Sequence, residues 1–149
     1  GFASDMLVSN DAIKWRAAGA PDFGARAFFS AVSHDRYLWV LGGHNGTFDS
    51  AMNDVWKSKD GLTWCRVSEF AHWDARFSHA AVSYAGMLWI IGGSTKDASN
   101  LNDVWKSYDG VQWTEVLAAG HTAFSTRSGH SVVVYKEQMW LYGGHSADV

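Results

Sequence analysis

The chain is 149 residues long, 47% hydrophobic and 18% charged, which supplies one domain-sized core and excludes a disordered chain. A net charge of −3 without a Lys/Arg cluster argues against nucleic acid as a partner. No apolar run reaches the roughly 18 residues of a membrane span and the N-terminus lacks the basic-then-apolar pattern of an export signal, so the chain reads as soluble, with no membrane partner and its compartment open.

The lone Cys65 rules out an intrachain disulfide and CxxC zinc sites, and nine Trp and fifteen Gly against one Pro is the skew left by copying one unit. The first segment, residues 4–15 (SDMLVSNDAIKW), is a worn copy of residues 53–64 (NDVWKSKDGLTW), which return almost unchanged at 102–113 (NDVWKSYDGVQW), each step being 49 residues. Between them run residues 25–43 (ARAFFSAVSHDRYLWVLGG), 75–93 (ARFSHAAVSYAGMLWIIGG) and 126–144 (TRSGHSVVVYKEQMWLYGG), at steps of 50 and 51. A period near 50 predicts a propeller or solenoid.

Four strands are expected per unit, in the first at 28–33, 37–41, 54–58 and 63–67. The second is apolar throughout (YLWVL, MLWII, QMWLY), as a strand covered on both faces is, whereas one-sided burial gives alternation. S-x-D-G-x-x-W reads as a tight hairpin, with Asp and Gly forming the turn and Trp returning to the packed face. The Gly-Gly after the second strand permits close backbone approach or positive φ.

Arg, then His, an apolar strand closing in Gly-Gly, NDVW and a later Trp recur in register over nearly the whole chain, and this order resembles the kelch repeat. The resemblance implies an all-β fold, a kelch-type β-propeller of four-stranded antiparallel blades, numbered outward from a central channel and closed into rings of usually six or seven. Residues 1–149 then form a single half-propeller: strands three and four of a split blade at 1–24, full blades at 25–74 and 75–125, and strands one and two of a split blade at 126–149. Phe29 departs from the pattern where other copies have His79 and His130, and Leu7 and Ala12 stand where later hairpins have Trp and Gly.

Three blades do not close a ring, which typically takes about four to eight. The loop between strands two and three has ten residues at 44–53 and nine at 94–102, and joining 145–149 to 1–4 gives nine again. Two chains set head to tail are therefore expected to close a six-bladed homodimer in which each split blade takes two strands from either chain. A piece of a longer six-repeat chain is the other reading, in keeping with a start at Gly1 rather than Met.

Strand direction alternates, so the loops after strands two and four share one face, where binding residues are expected, and the short turns share the other. Arg26, Arg76 and Arg127 each precede an innermost strand at that face. They read either as a cationic rim for anions or as partners of the repeated Asp5, Asp54 and Asp103, and the repetition of both residues favours pairing. In some kelch proteins the Arg at this place binds acidic peptides, so the resemblance permits both.

Eight Trp fall on repeat positions and are assigned to the core; Trp73 lies off the pattern in the 68–75 loop, where it either stacks on a sugar or anchors a partner, or tucks under its own loop. His44 and His145 follow Gly-Gly pairs as outer contacts, and without a further ligand at short spacing no metal is expected. His79 and His130 are expected to hydrogen-bond within their blades. The expected ligand-binding set is Arg26, Arg76, Arg127, Trp73, His44 and His145, with no catalytic residue and no cofactor.

The function that follows is a non-catalytic binding module for a protein segment or a small anionic or glycan ligand. One alternative is a kelch-type enzyme acting on sugars, since the family's rings include galactose oxidase relatives and sialic acid epimerases. Another is a structural or engineered propeller fragment without a ligand. The oxidase chemistry uses a Cys joined to a Tyr near the axis, whereas Cys65 falls on an outermost strand. An epimerase-like site needs an acid or base at the channel mouth, and Glu69, Glu115 and Glu137 fall away from it.

Overall fold

The computed structural model describes residues 1–47, 50–118 and 124–146; the 44–53 and 117–126 loops and the 145–149 tail each include residues outside that set. Among the described residues, β1 (Met6–Val8) pairs with β2 (Arg16–Gly19) in a two-stranded sheet. β3 (Ser30–His34), β4 (Tyr37–His44), β5 (Ala51–Ser58) and β6 (Cys65–Ser68) follow as a four-stranded sheet in chain order. β7 (Ala80–Tyr84), β8 (Met87–Ser94), β9 (Asn100–Ser107) and β10 (Thr114–Leu117) repeat it, and β11 (Ser131–Tyr135) with β12 (Gln138–Tyr142) ends the chain. Every pairing is antiparallel.

The sequence repeat becomes a repeat of register. Trp39 faces Lys57 and Leu41 faces Val55 across β4 and β5, as Trp89 faces Lys106 and Ile91 faces Val104 across β8 and β9. The strand bounds differ from expectation where local geometry intervenes. β3 starts at Ser30 because Phe28 takes a φ of 56°, outside strand geometry. β4 runs past Leu41 through the Gly-Gly pair to His44, and β6 waits until Cys65 because the preceding residues close the hairpin.

That hairpin is held by one carboxylate. Asp60 accepts from the backbone amides of Leu62 and Thr63 at 2.8 and 2.9 Å, and Gly61 donates to Ser58 Oγ at 2.8 Å. Asp109 and Ser107 repeat the arrangement. Asp11 keeps it in the worn copy, accepting from Ile13 and Lys14, although Ala12 must take a φ of 59° where the later copies have Gly. The donated bonds hold all three carboxyls below the ordinary range, that of Asp60 at about 2.

The sheets stack as blades with β3, β7 and β11 side by side along the inner edge. Backbone bonds stitch each blade to the next: Gly43 donates to Arg76 O and Arg76 to Met52 O, and Gly93 donates to Arg127 O and Arg127 to Leu101 O. Gly42 makes this approach possible. Its φ is 56°, and a Cβ there would lie 2.9 Å from the carbonyl oxygens of both Arg76 and Met52. Trp39, Leu41, Val55, Trp73, Leu88, Ile90 and Trp113 fill the space between the blades.

Burial of the repeat Trp residues follows position in the stack, which corrects their uniform assignment to the core. Trp39 is 3% exposed beneath the second full blade, whereas Trp140 on β12 is 43% exposed and Trp15 is also exposed. Trp140 lies on β12 and Trp15 immediately before β2, in the terminal two-stranded sheets and their hairpin, which have a blade of the chain on one side only.

Candidate functional site

The inner ends of the blades bring three arginines to equivalent places. Arg26 donates to Gly42 O at 3.0 Å, Arg76 to Gly92 O at 2.9 Å and Arg127 to Gly143 O at 2.7 Å. The first two also make two-pronged ion pairs: Arg26 with Asp54 at 2.8 and 2.9 Å, and Arg76 with Asp103 at 2.6 and 2.7 Å. Trp56 and Trp105 each add an indole N–H to the same carboxylate at 2.7 Å.

Arg76 is 0% exposed. A guanidinium so placed is neutralised and occupied, and removing one member of such a pair leaves the other charge buried. The expected cationic rim is therefore corrected for Arg26 and Arg76, whose forks face inward onto the blade's own carboxylates. Arg127 differs. It is half-buried, it also donates to Ser125, and it has no carboxylate partner among the described residues.

Trp73 is also corrected: it is 1% exposed, edge-on to Trp113 with ring centroids 5.9 Å apart, its own carbonyl taken by Asn53 Nδ2. An indole with no open face has none to offer a sugar, so its loop tucks it into the core.

His79 and His130 wedge between blades instead of hydrogen-bonding within them. The His79 ring reaches under Gly42 and the His130 ring under Gly92, and neither ring closes a hydrogen bond of good geometry. Burial, then the nearby Arg76 and His130 charges, push His79 down to about 3 against a weak opposing pull from the Leu41 carbonyl. Burial likewise lowers His130.

His44 and His145 lie on the long-loop side as expected. His44 is half-buried, its Nδ1 accepting from Gly46 N at 3.0 Å, and His145 is exposed. No cluster of three or more metal-ligating side chains occurs among the described residues.

Sequence reasoning missed an aromatic cluster at the same face. Phe28 packs edge-on to Phe2 at 6.1 Å and tilted to Phe77 at 6.3 Å, and His44 stands edge-on to Phe77 at 5.3 Å and to Phe2 at 6.0 Å. Phe28 lies two residues before the innermost strand of its blade and remains 59% exposed. Its left-handed φ recurs at Ser78 (53°) and Gly129 (67°), and these residues hand a backbone bond from blade to blade: Ser78 N to Phe28 O, then Gly129 N to Ser78 O. The position suits Gly, so a bulky aromatic there holds a conformation that its own backbone resists. The available signal was Phe28 standing in register with a Ser and a Gly.

Repeated four-stranded antiparallel blades around a common inner edge, each locked by its Arg and its Gly-Gly, define part of a kelch-type β-propeller. The chain belongs to the KLHDC2/KLHL20/DRC7 Kelch-repeats domain family, whose model matches residues 28–149. It is similar to a solved structure titled "Structure of YjhT", with a TM-score of 0.74 at 15% identity, over 97% of this chain and 45% of that one. At that identity the likeness shows the fold alone, and the chain spans less than half the length of its neighbour. No curated protein matches the chain.

Proposed function

We propose that the chain is a non-catalytic binding module that engages a protein segment or glycan on the long-loop face of a six-bladed ring made from two copies. The observation that carries this reading is Phe28, an exposed aromatic in a left-handed conformation, clustered with Phe2, Phe77 and His44. Strain of this kind persists where something other than stability favours it. The open aromatic faces suit the flat apolar face of a sugar ring or an apolar side chain of a peptide better than a bare anion. His145, exposed on the same side, is assigned as an outer contact.

The test is Phe28→Gly, which installs the residue found at position 129, screened on arrays of glycans, small anions and peptides. Relief of the left-handed strain is expected to stabilise the fold by about 1 kcal/mol, while binding to the array ligand falls by about tenfold or more. A destabilised variant with unchanged binding would make Phe28 structural and remove the basis for this site. Turnover of a sugar on the array would replace the module with an enzyme.

A further inference from the structure

The two ends of the chain carry complementary, unfilled halves of one repeated contact. Between the full blades, the Trp39 ring lies where any side chain on Gly110 would overlap it, and Val55 closes the same space 3.3 Å from that point. Stepping back 49 residues, Gly110 becomes Gly61 and Val55 becomes Met6. These two residues line a hollow with Leu7, Leu38, Leu62 and Trp64, between β1 and the hairpin of the first full blade. The residue equivalent to Trp39 in the last repeat is Trp140, which stands open on β12.

The charges are unpaired in the same sense. Arg26 and Arg76 meet carboxylates 28 and 27 residues further on, whereas Arg127 has no carboxylate partner among the described residues. Asp5 occupies the equivalent place in the first repeat, exposed and without an ion pair among the described residues. Leu7 replaces the Trp that donates to Asp54 and Asp103, leaving the carboxylate of Asp5 to the guanidinium alone.

We propose that a second copy of this chain seats its Trp140 in the hollow lined by Met6, Gly61 and Trp64, and that Asp5 of each copy pairs with Arg127 of the other. This rests on the two-copy ring proposed above. The equivalent register sets Trp140 opposite Val8 and Leu141 opposite Leu7, so β12 of one copy and β1 of the other complete a four-stranded blade. The same contact forms at both junctions.

The test uses charge reversal in the full chain, with mass read by native mass spectrometry and light scattering. Asp5→Arg alone and Arg127→Asp alone each place like charges at both junctions, and each is expected to weaken the two-copy particle by at least about 100-fold. Mixing the two variants restores an Asp–Arg pair at both junctions, so a mixed particle with one copy of each is expected to return toward wild-type affinity. Asp5 is exposed, so Asp5→Arg decides the matter even if Arg127→Asp does not fold. Wild-type affinity in Asp5→Arg overturns the pairing and leaves the ring standing, as does failure of two folded variants to form the mixed particle. A wild-type chain of single-copy mass overturns both the pairing and the ring.

Discussion

An imidazole sealed between two sheets makes His79 a pH-dependent weak point. Its folded pKa of about 3 lies below the ordinary 6.5, so between those values the unfolded chain binds a proton that the folded chain refuses. Stability conferred by the neutral ring is therefore complete above about pH 6.5 and is lost as the pH falls below it. His130 is lowered in the same direction and adds to the effect. The hairpin carboxylates Asp11, Asp60 and Asp109 are held below the ordinary carboxylate range, so their contribution persists to lower pH and does not confuse this window. The urea midpoint is expected to stay level from pH 8 to 7 and to fall from pH 6.5 to 5. His79→Phe, with Phe29 as its precedent in the first repeat, is expected to flatten the fall by about half. An equally steep slope in that variant would assign the effect elsewhere.

Burial at the level of the element depends on what stacks against it. β4 and β8 are covered on both faces through their centres, whereas β12, with the same apolar sequence character, alternates between exposed and half-buried positions. Trp39→Ala removes a ring from between two blades and is expected to cost on the order of 3–5 kcal/mol in urea unfolding. Trp140→Ala is expected to change the stability of the isolated chain by less than about 1 kcal/mol and to act instead on association. Equal losses at both sites in dilute protein would show that β12 is already covered within one chain. The four-strand unit, its order and the hairpins were legible from the repeat. The exact starts of β3 and β6 were not, because a left-handed Phe28 and a hairpin extended to Trp64 are backbone choices that apolar periodicity does not encode.

At the scale of the whole molecule, the terminal two-stranded sheets leave β1 and β12 at sheet edges among the described residues, with exposed apolar side chains such as Leu7 and Tyr142 beside them. Edges of this kind pair with other chains unless something covers them. Ring closure by a second copy is expected to give a particle near twice the 16.4 kDa chain mass in light scattering, with an unfolding midpoint that rises with protein concentration because dissociation accompanies unfolding. A midpoint independent of concentration, together with single-chain mass, is the contrary result.

The amino-acid sequence determined the repeat and the antiparallel blades, because each is written as residue types recurring at a fixed period, and it left the repeated Arg residues between a rim and a pairing with Asp. It also marked the face on which the loops gather, since strand direction must alternate. Only the tertiary structure decided which of the repeated residues are available. Arg26 and Arg76 turn inward onto carboxylates, Trp73 drops into the core, and Phe28 stays in solvent. Exposure depends on what neighbouring blades cover, so identical Trp residues are buried at position 39 and open at position 140.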